Sequence, residues 1–355
     1  MLEKMLELHF SISSFLLITF SLALICEAQT NGRLLPQEEK NALEEIADQV
    51  GKKDWDFDLN PCGGNTNWNT PSDNTSLYVN IVTCNCSTPD GFCHIQSILL
   101  KGQDLPGVLP PSLVKLPYLK KIDLSRNYLS GTIPPEWAST KLEYMSVMLN
   151  QLSGPIPKYL GNMTTLLYMS LENNLFNGTV PKELGNMVNL QNLFLGFNNL
   201  IGKLPVELNK LTNLIQLRLS DNNFAGKLPS FESLKKLQKL WIQASGFEGP
   251  VSPSSSVLTE MNELIISDLT GSSSEFPPLE NMKGLTRLML RNCNISGKIP
   301  SYIANMSQLK ILPYTGELHS QRKREKKEHK KRNEDPEILF QKIYTSGELP
   351  AFGSL

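Results

Sequence analysis

The stretch that decides the fold runs from Leu166 to Pro181 and reads LLYMSLENNLFNGTVP. It follows the pattern L-x-x-L-x-L-x-x-N-x-L-x-G-x-I-P, and the next unit, from Leu190, repeats it as LQNLFLGFNNLIGKLP. The first apolar position of each unit falls at Ile95, Leu119, Leu142, Leu166, Leu190, Leu214, Leu237, Met261, Leu285 and Leu309. The steps between them are 23 or 24 residues, and the unit from Leu309 breaks off at Pro313. A register held over nine units indicates a repeat protein.

The pattern also predicts what each unit does. The L-x-x-L-x-L portion alternates apolar and polar residues, which is typical of a strand with one buried face. Recurring asparagines, such as Asn174 and Asn198, are predicted to turn inward and bond the backbone of neighbouring units as a ladder. The glycines and prolines that follow form the return path, where proline stops strand pairing. The sequence therefore predicts an α/β-type repeat solenoid with a parallel sheet on its concave side.

The first residues indicate export from the cell. A polar start is followed by an apolar run at 10–25 and by small residues before position 29, so residues 1–28 are predicted to be a signal peptide cleaved after Ala28, with an uncleaved anchor as the alternative. Four clustered cysteines then predict two disulfides of open pairing, and these are Cys62, Cys84, Cys86 and Cys93. Cys293 is expected to be a buried free thiol. The predicted N-glycosylation sites are Asn74, Asn85, Asn162, Asn177, Asn294 and Asn305.

Composition and pattern also divide the chain into segments. Residues 29–94 form a cysteine-rich N-terminal cap, with a helix from Leu35 to Val50 that ends at Gly51. Residues 95–312 hold nine repeats and a broken tenth. Residues 313–355 form a basic tail that is predicted to be disordered, since eight of the twelve residues at 321–332 are Lys or Arg. A nuclear-localisation role for that tail conflicts with the predicted signal peptide.

Several segments resemble one family in detail. They are KKDW at 52–55, VTCNC at 82–86, GTIPPEW at 131–137 and LRNCN at 290–294. The repeat unit is similar to the plant-specific leucine-rich repeat, and the whole looks like the ectodomain of plant leucine-rich-repeat receptor-like serine/threonine kinases that also carry a malectin-like domain (subfamily VIII). The resemblance covers about 35–312 and implies a cell-surface receptor at the plasma membrane in complete relatives. The malectin-like, transmembrane and kinase parts of such a receptor are not in this sequence.

The residues offer little for catalysis. A glycine-rich phosphate loop, a catalytic aspartate and an Asp-Phe-Gly triplet are all missing from the sequence, so the chain is predicted not to be an enzyme and to need no cofactor or metal. Asp123, Glu172 and Asp221 recur at regular repeat positions, which predicts a solvated face, and His94 is predicted to be structural. A net charge of -1 gives no electrostatic reason to expect nucleic acid as a partner.

What the repeats provide is a surface. One outward residue per unit lies between the two core positions of the strand, and in the later units this residue is aromatic, cationic or large and apolar. The predicted ligand-binding residues are Tyr168, Asn192, Phe194, Phe197, Arg218, Trp241 and Ile265. The expected partner is a protein or peptide ligand or co-receptor, with cell-wall carbohydrate as a further candidate, in the extracellular space (apoplast). The alternative is a free-standing secreted leucine-rich-repeat protein that acts in defence or as an inhibitor.

Overall fold

A helix and an antiparallel strand close the N-terminal end of the molecule. The computed structural model describes residues 34–70, 77–251, 257–310 and 314–315. Helix α1 (Gln37–Val50) buries one face and ends at Gly51, whose φ of 81° is the left-handed conformation that glycine adopts at little cost. Strand β1 (Val79–Asn85) pairs antiparallel with β2 (His94–Lys101), the first strand of the repeats. The predicted helix and its end are therefore confirmed.

One strand per repeat builds a long parallel sheet. We call the repeats coils 1 to 9, starting at Ile95, Leu119, Leu142, Leu166, Leu190, Leu214, Leu237, Met261 and Leu285. After β2 the strands are β3 (Lys121–Asp123), β5 (Tyr144–Ser146), β7 (Tyr168–Ser170), β9 (Asn192–Phe194), β11 (Gln216–Arg218), β13 (Lys239–Ile242), β14 (Glu263–Ser267) and β15 (Arg287–Arg291). A last short strand, β16 (Tyr314–Thr315), pairs with β15. With β1 these strands form an 11-stranded sheet, here the long sheet.

A second sheet, which the pattern did not predict, lies on the return path. Its strands are β4 (Ser130–Gly131), β6 (Gln151–Pro155), β8 (Leu175–Gly178), β10 (Asn199–Gly202) and β12 (Asn223–Phe224). They pair in parallel and form the short sheet. Each strand of the short sheet ends at or before the proline of its unit. The prolines therefore end this sheet, as expected, but they do not prevent it from forming.

Short 3-10 helices complete most return paths. They span Pro111–Lys115, Pro135–Ser139, Lys158–Asn162, Lys182–Asn186, Val206–Lys210 and Ser301–Asn305. Each follows a proline of extended backbone, and five of the six bury at least one side chain or glycine in the core. In the described part of the chain no helix is long and apolar enough to cross a membrane.

The inward asparagines form the predicted ladder. In coil 5 the Asn198 amide donates to the carbonyls of Leu171, Leu195 and Gly196, and its oxygen accepts from the Phe176 N–H at 3.1 Å. The same bonds recur at Asn127, Asn150, Asn174 and Asn222. The ladder stops after coil 6, because the equivalent residues of coils 7 to 9 are Ser245, Leu269 and Cys293.

Two disulfides fasten the cap, as the cysteine cluster predicted. Cys62 bonds Cys84, and Cys86 bonds Cys93, which settles a pairing that the sequence left open. Cys293 is a free, buried cysteine, and burial raises the pKa of its thiol to about 12. The signal peptide, Asn74 and residues 316–355 lie outside the described residues, whereas the pairing of β16 carries the sheet two residues into the segment assigned to the tail.

Candidate functional site

The predicted binding residues come together on one face of the long sheet. Strand pairing sets Phe194 beside Arg218, Arg218 beside Trp241, and Trp241 beside Ile265. Because neighbouring strands lie about 5 Å apart, these side chains form a continuous row across coils 5 to 8. Tyr168 and Asn192 are paired in the adjacent row, two residues earlier on their strands.

Burial divides the row into residues that line the surface and residues that lie beneath it. Phe194 is 1% exposed and Ile265 is 2% exposed, so neighbouring side chains cover both of them, and their contact with a ligand stays a prediction. Parallel strands bring large side chains of successive coils within contact distance, and they cover each other laterally. Arg218 and Trp241 remain partly exposed in the same row.

Arg218 is held between two aromatic rings. Its guanidinium carbon lies 4.2 Å from the centroid of the Phe194 ring and 4.2 Å from that of Trp241. Such cation–π contacts are worth about 0.5–1 kcal/mol at exposed sites and more where the cation has lost water. The Arg218 side chain is 12% exposed, so its position is fixed by the two coils on either side.

The same arginine reaches a carboxylate two coils away. Arg218 Nη1 lies 3.4 Å from Glu172 Oε2, and the Glu172 side chain is 6% exposed. Burial raises the pKa of Glu172, while the charge of Arg218 opposes that rise. Glu172 is therefore part of a buried ion pair and not of the solvated face that its position predicted. Asp123 is also partly buried, which raises its pKa, whereas Asp221 is exposed as expected.

Two tyrosines belong to the adjacent row, in the coils that lie toward the N-terminus. The rings of Tyr144 and Tyr168 stack with centroids 4.4 Å apart, and Tyr168 meets the Phe194 ring edge-on at 5.3 Å. Burial raises the pKa of both tyrosine hydroxyls above its ordinary value, so both stay protonated at neutral pH. Sequence reasoning missed Tyr144, although it occupies the same repeat position as Tyr168.

Charged residues continue that position toward the C-terminal coils. Lys239 Nζ lies 3.1 Å from Glu263 Oε1, and Arg287 Nη1 lies 3.9 Å from Glu263 Oε2. Two cations thus share one carboxylate, which leaves one excess positive charge on this part of the face. In the sequence, the only sign of these ion pairs was that Lys239, Glu263 and Arg287 occupy the same position in successive repeats.

Several polar atoms of the face lack a partner. Among the described residues, the buried Nε1 of Trp241, the Nε of Arg218 and the Oγ of Ser170 make no hydrogen bond. An unsatisfied buried donor costs about 1–3 kcal/mol, so these atoms lower the stability of this part of the sheet. Phe197 lies at the edge of the face, 47% exposed, with a φ of 53° that is unfavourable for a bulky residue.

The five predicted glycosylation sites that the structure describes lie away from this face. Asn162, Asn177, Asn294 and Asn305 are exposed, and Asn85 is partly buried. None of them belongs to a strand of the repeats in the long sheet. Within the described residues, no group of three or more His, Cys, Asp or Glu side chains is placed to hold a metal ion.

These features define a class of protein: a capped leucine-rich-repeat solenoid with a side-chain row across its parallel sheet. The Leucine Rich Repeat family profile matches residues 118–139 and 284–306. Over 287 residues, 80% of this chain, the sequence is 44% identical to a probable leucine-rich-repeat receptor-like serine/threonine-protein kinase of Arabidopsis thaliana, At1g53430. This confirms the resemblance to plant receptor-like kinases that the motifs indicated, whereas subfamily and malectin-like domain stay predictions.

Solved structures give the same fold. The ectodomain of the Arabidopsis receptor kinase HAESA, solved with a peptide hormone, superposes with a TM-score of 0.65 at 25% identity, over 80% of this chain and 44% of that one. A plant ice-binding protein superposes with a TM-score of 0.61 at 25% identity, over 79% of this chain and 90% of that one. The chain spans only 13 to 28% of the length of the first curated relatives it matches.

Proposed function

We propose that this chain is an extracellular recognition module of a plant receptor-like kinase, and that it binds an extended peptide or a loop of a co-receptor on the long sheet. The observation that carries the proposal is the pair Arg218 and Trp241, whose large side chains lie side by side and partly exposed on the long sheet. Aromatic and arginine side chains are the groups that interfaces use most often as anchors.

The binding surface is narrower than the predicted set of residues. Tyr168, Asn192, Arg218 and Trp241 are partly exposed and would contact the ligand, with Phe197 at the rim. Phe194 and Ile265 would act from below, because they hold Arg218 and Trp241 in place. The excess positive charge at Lys239 and Arg287 favours a ligand that carries a carboxylate near coils 7 to 9.

The comparison with HAESA supports a peptide as the ligand. That ectodomain is a repeat solenoid of the same fold and was solved with a peptide hormone. Localisation at the cell surface or in the apoplast is part of the same proposal, and the two cap disulfides support it because such bonds persist in oxidising compartments.

The test replaces Trp241 and its inward neighbour Leu240. Binding is measured on an array of synthetic extended peptides, and the best binder is then titrated by calorimetry. Trp241→Ala is expected to weaken that binding by about 2 kcal/mol, or roughly 30-fold, while secretion stays normal. Leu240, which is 2% exposed, is the control: Leu240→Ala should cost about 2–5 kcal/mol of folding stability.

Two outcomes would contradict the proposal. If Trp241→Ala lowers secretion as Leu240→Ala does, Trp241 serves the core and not recognition. If both secretion and peptide binding survive Trp241→Ala, the ligand binds another face of the solenoid.

A second candidate is a free-standing secreted protein, which would act without a kinase. The ice-binding protein supports it, because this chain covers 90% of that solenoid. Immunoblotting of plant apoplastic fluid and of membrane fractions separates the candidates. A soluble product of the size of this chain favours the second, and a product several times larger in the membrane fraction favours the first.

A further inference from the structure

The outer face of the short sheet carries two apolar side chains that no described residue of the chain covers. Of the residues in β4, β6, β8, β10 and β12, the exposed large apolar ones are Leu175, at 52% exposure, and Ile201, at 49%. Other exposed residues of the same sheet are polar, such as Gln151 in β6, Asn177 in β8 and Asn199 in β10. Burying both side chains would remove apolar surface from water, which lowers the free energy in proportion to the area buried.

Asn177 lies between these two side chains. It follows Leu175 by two residues in β8, so both project from the same side of the sheet about 7 Å apart. In β10, Asn199 pairs with Asn177 and Leu200 with Gly178, so Ile201 is the next outward residue, diagonally across from Asn177. A group attached to Asn177 therefore extends over both apolar residues.

The Asn177 side chain is also free to be modified. It is exposed, begins the sequon Asn177-Gly178-Thr179, and has no hydrogen-bond partner among the described residues. Two other sequon asparagines are engaged: Asn294 Nδ2 donates to the Gly271 carbonyl at 2.7 Å, and Asn85 Oδ1 accepts from the Ser87 N–H at 3.0 Å. Thr179, which the transfer reaction also needs, is exposed.

We propose that Asn177 carries an N-linked glycan whose first sugars pack over Leu175 and Ile201 and shield the short sheet from protein contacts. In the secretory pathway, the amide Nδ2 of Asn177 takes an oligosaccharide from a lipid-diphosphate donor. A bond forms between Nδ2 and the anomeric carbon, the bond from that carbon to the diphosphate oxygen breaks, the lipid diphosphate leaves, and one amide proton passes to solvent. The C–H face of the first N-acetylglucosamine then covers apolar surface, while its hydroxyl groups remain in water.

With this glycan in place, the solenoid has one face that is open to partners, the long sheet, and one face that is shielded from them, the short sheet. The long sheet keeps its row free of sequons, and the short sheet becomes polar once the glycan is in place. The inference rests on the export that the proposed function requires, but not on the identity of the ligand.

The experiment uses the protein secreted from a eukaryotic cell. Peptide mass mapping is expected to find Asn177 occupied. Asn177→Gln and Thr179→Ala both remove the glycan, through different side chains, and each should raise the fluorescence of a bound hydrophobic dye several-fold above that of the intact protein. Asn162→Gln removes a predicted glycan from the end of a 3-10 helix, and is expected to leave dye binding unchanged. Adding Leu175→Ser and Ile201→Ser to Asn177→Gln should return the signal to that of the intact protein.

A second measurement covers the case in which Asn177→Gln is not secreted. The folded wild-type glycoprotein and its Leu175→Ser/Ile201→Ser variant are both treated with peptide N-glycosidase, and only the wild type should gain dye binding. An unmodified Asn177, or dye binding that does not depend on Leu175 and Ile201, would overturn the shield. Loss of peptide binding by Trp241→Ala is independent of either result, so failure of the shield and failure of the proposed function are distinguishable.

Discussion

Gly196 makes the contact between Arg218 and Glu172 possible. It occupies the coil that lies between the two charged residues, and a Cβ built on it would come within 2.9 Å of Glu172 Oε1 and 3.2 Å of the Ser220 carbonyl oxygen. Its φ is not in the left-handed range, so the position needs glycine for space and not for backbone conformation. A side chain here would displace the carboxylate from the arginine.

Gly196→Ala is expected to destabilise the fold by about 1–3 kcal/mol, because overpacking separates a buried ion pair. Denaturant unfolding followed by circular dichroism measures the change. Gly284→Ala is the control and should cost less, since its Cβ would meet a flexible side-chain oxygen of Asn262 at 3.3 Å and the Met261 carbonyl oxygen at an ordinary 3.9 Å. Equal stability of Gly196→Ala and the wild type would show that the ion pair contributes nothing to folding.

The sequence predicted which residues share a row, but not which of them reach solvent. Repeat position alone set Phe194, Arg218 and Trp241 side by side, and the strand pairing confirms it. Exposure depends on how far a neighbour's side chain reaches across coils. Arg218 covers Phe194 and binds Glu172 because its side chain reaches across two strand spacings. The sequence pattern of a single repeat does not show how far a side chain reaches.

The asparagine ladder is the element that joins coil to coil. Asn198 satisfies three carbonyls and one N–H that are buried inside the solenoid. Asn198→Ala should therefore lower the free energy of unfolding by at least about 2 kcal/mol, since each buried polar group left unpaired costs about 1–3 kcal/mol. Ser245→Ala, at the same position of coil 7, should be neutral, because the Ser245 hydroxyl has no partner among the described residues. A similar loss of stability in both variants would mean that the shape of the side chain, and not its hydrogen bonds, stabilises the backbone at this repeat position.

His94 joins the elements of the cap. Its Nε2 lies 2.7 Å from Asp90 Oδ2, its Nδ1 bonds Glu39 of α1, and its ring packs on Tyr118 at 4.0 Å. Burial alone lowers the pKa of His94, but the hydrogen bonds and charges of Glu39 and Asp90 raise it above its ordinary value. The folded state therefore binds the proton more tightly than the unfolded state.

This linkage predicts how the stability of the cap changes with pH. The contribution of His94 is complete below the unfolded pKa and is lost as pH rises through the higher folded pKa. The melting temperature of His94→Gln should fall furthest below that of the wild type near about pH 5, and the difference should shrink toward about pH 8. Glu39→Gln should move the transition to lower pH, because it removes one of the two carboxylates. A difference that is constant with pH would show that His94 stays neutral.

Element boundaries followed from sequence where a single residue type sets them. Gly51 ended α1 as predicted. The short sheet escaped prediction because its strands span only two to five residues and four of the five contain glycine, which gives no strand signal by itself.

At the scale of the whole molecule, stability should decline along the solenoid. The ladder asparagines occupy coils 2 to 6, whereas coils 7 to 9 carry Ser245, Leu269 and Cys293. Amide hydrogens of β13, β14 and β15 should therefore exchange faster than those of β5, β7 and β9, as measured by hydrogen exchange with mass spectrometry. Uniform protection across the long sheet would contradict this gradient.

The overall architecture was predictable because each coil packs mainly on its neighbours, so one repeating unit determines most of the stack. The disulfide pairing was not, since four cysteines permit three pairings and the choice depends on how β1 folds back on β2. That antiparallel contact is specific to the cap and leaves no periodic trace in the sequence.

The reach of Arg218 across Gly196 to Glu172 also constrains how such a chain can change in evolution. Duplication or loss of a whole 24-residue unit preserves strand pairing almost anywhere in a solenoid, and so is a ready route to a longer or shorter protein. Between positions 172 and 218 a duplication would add a strand spacing of about 5 Å between the two charges and break the pair, and loss of coil 5 would remove Gly196 and the spacing to which the pair is fitted. Coils 4 to 6 are therefore expected to be inherited as one block, while repeat number varies on either side.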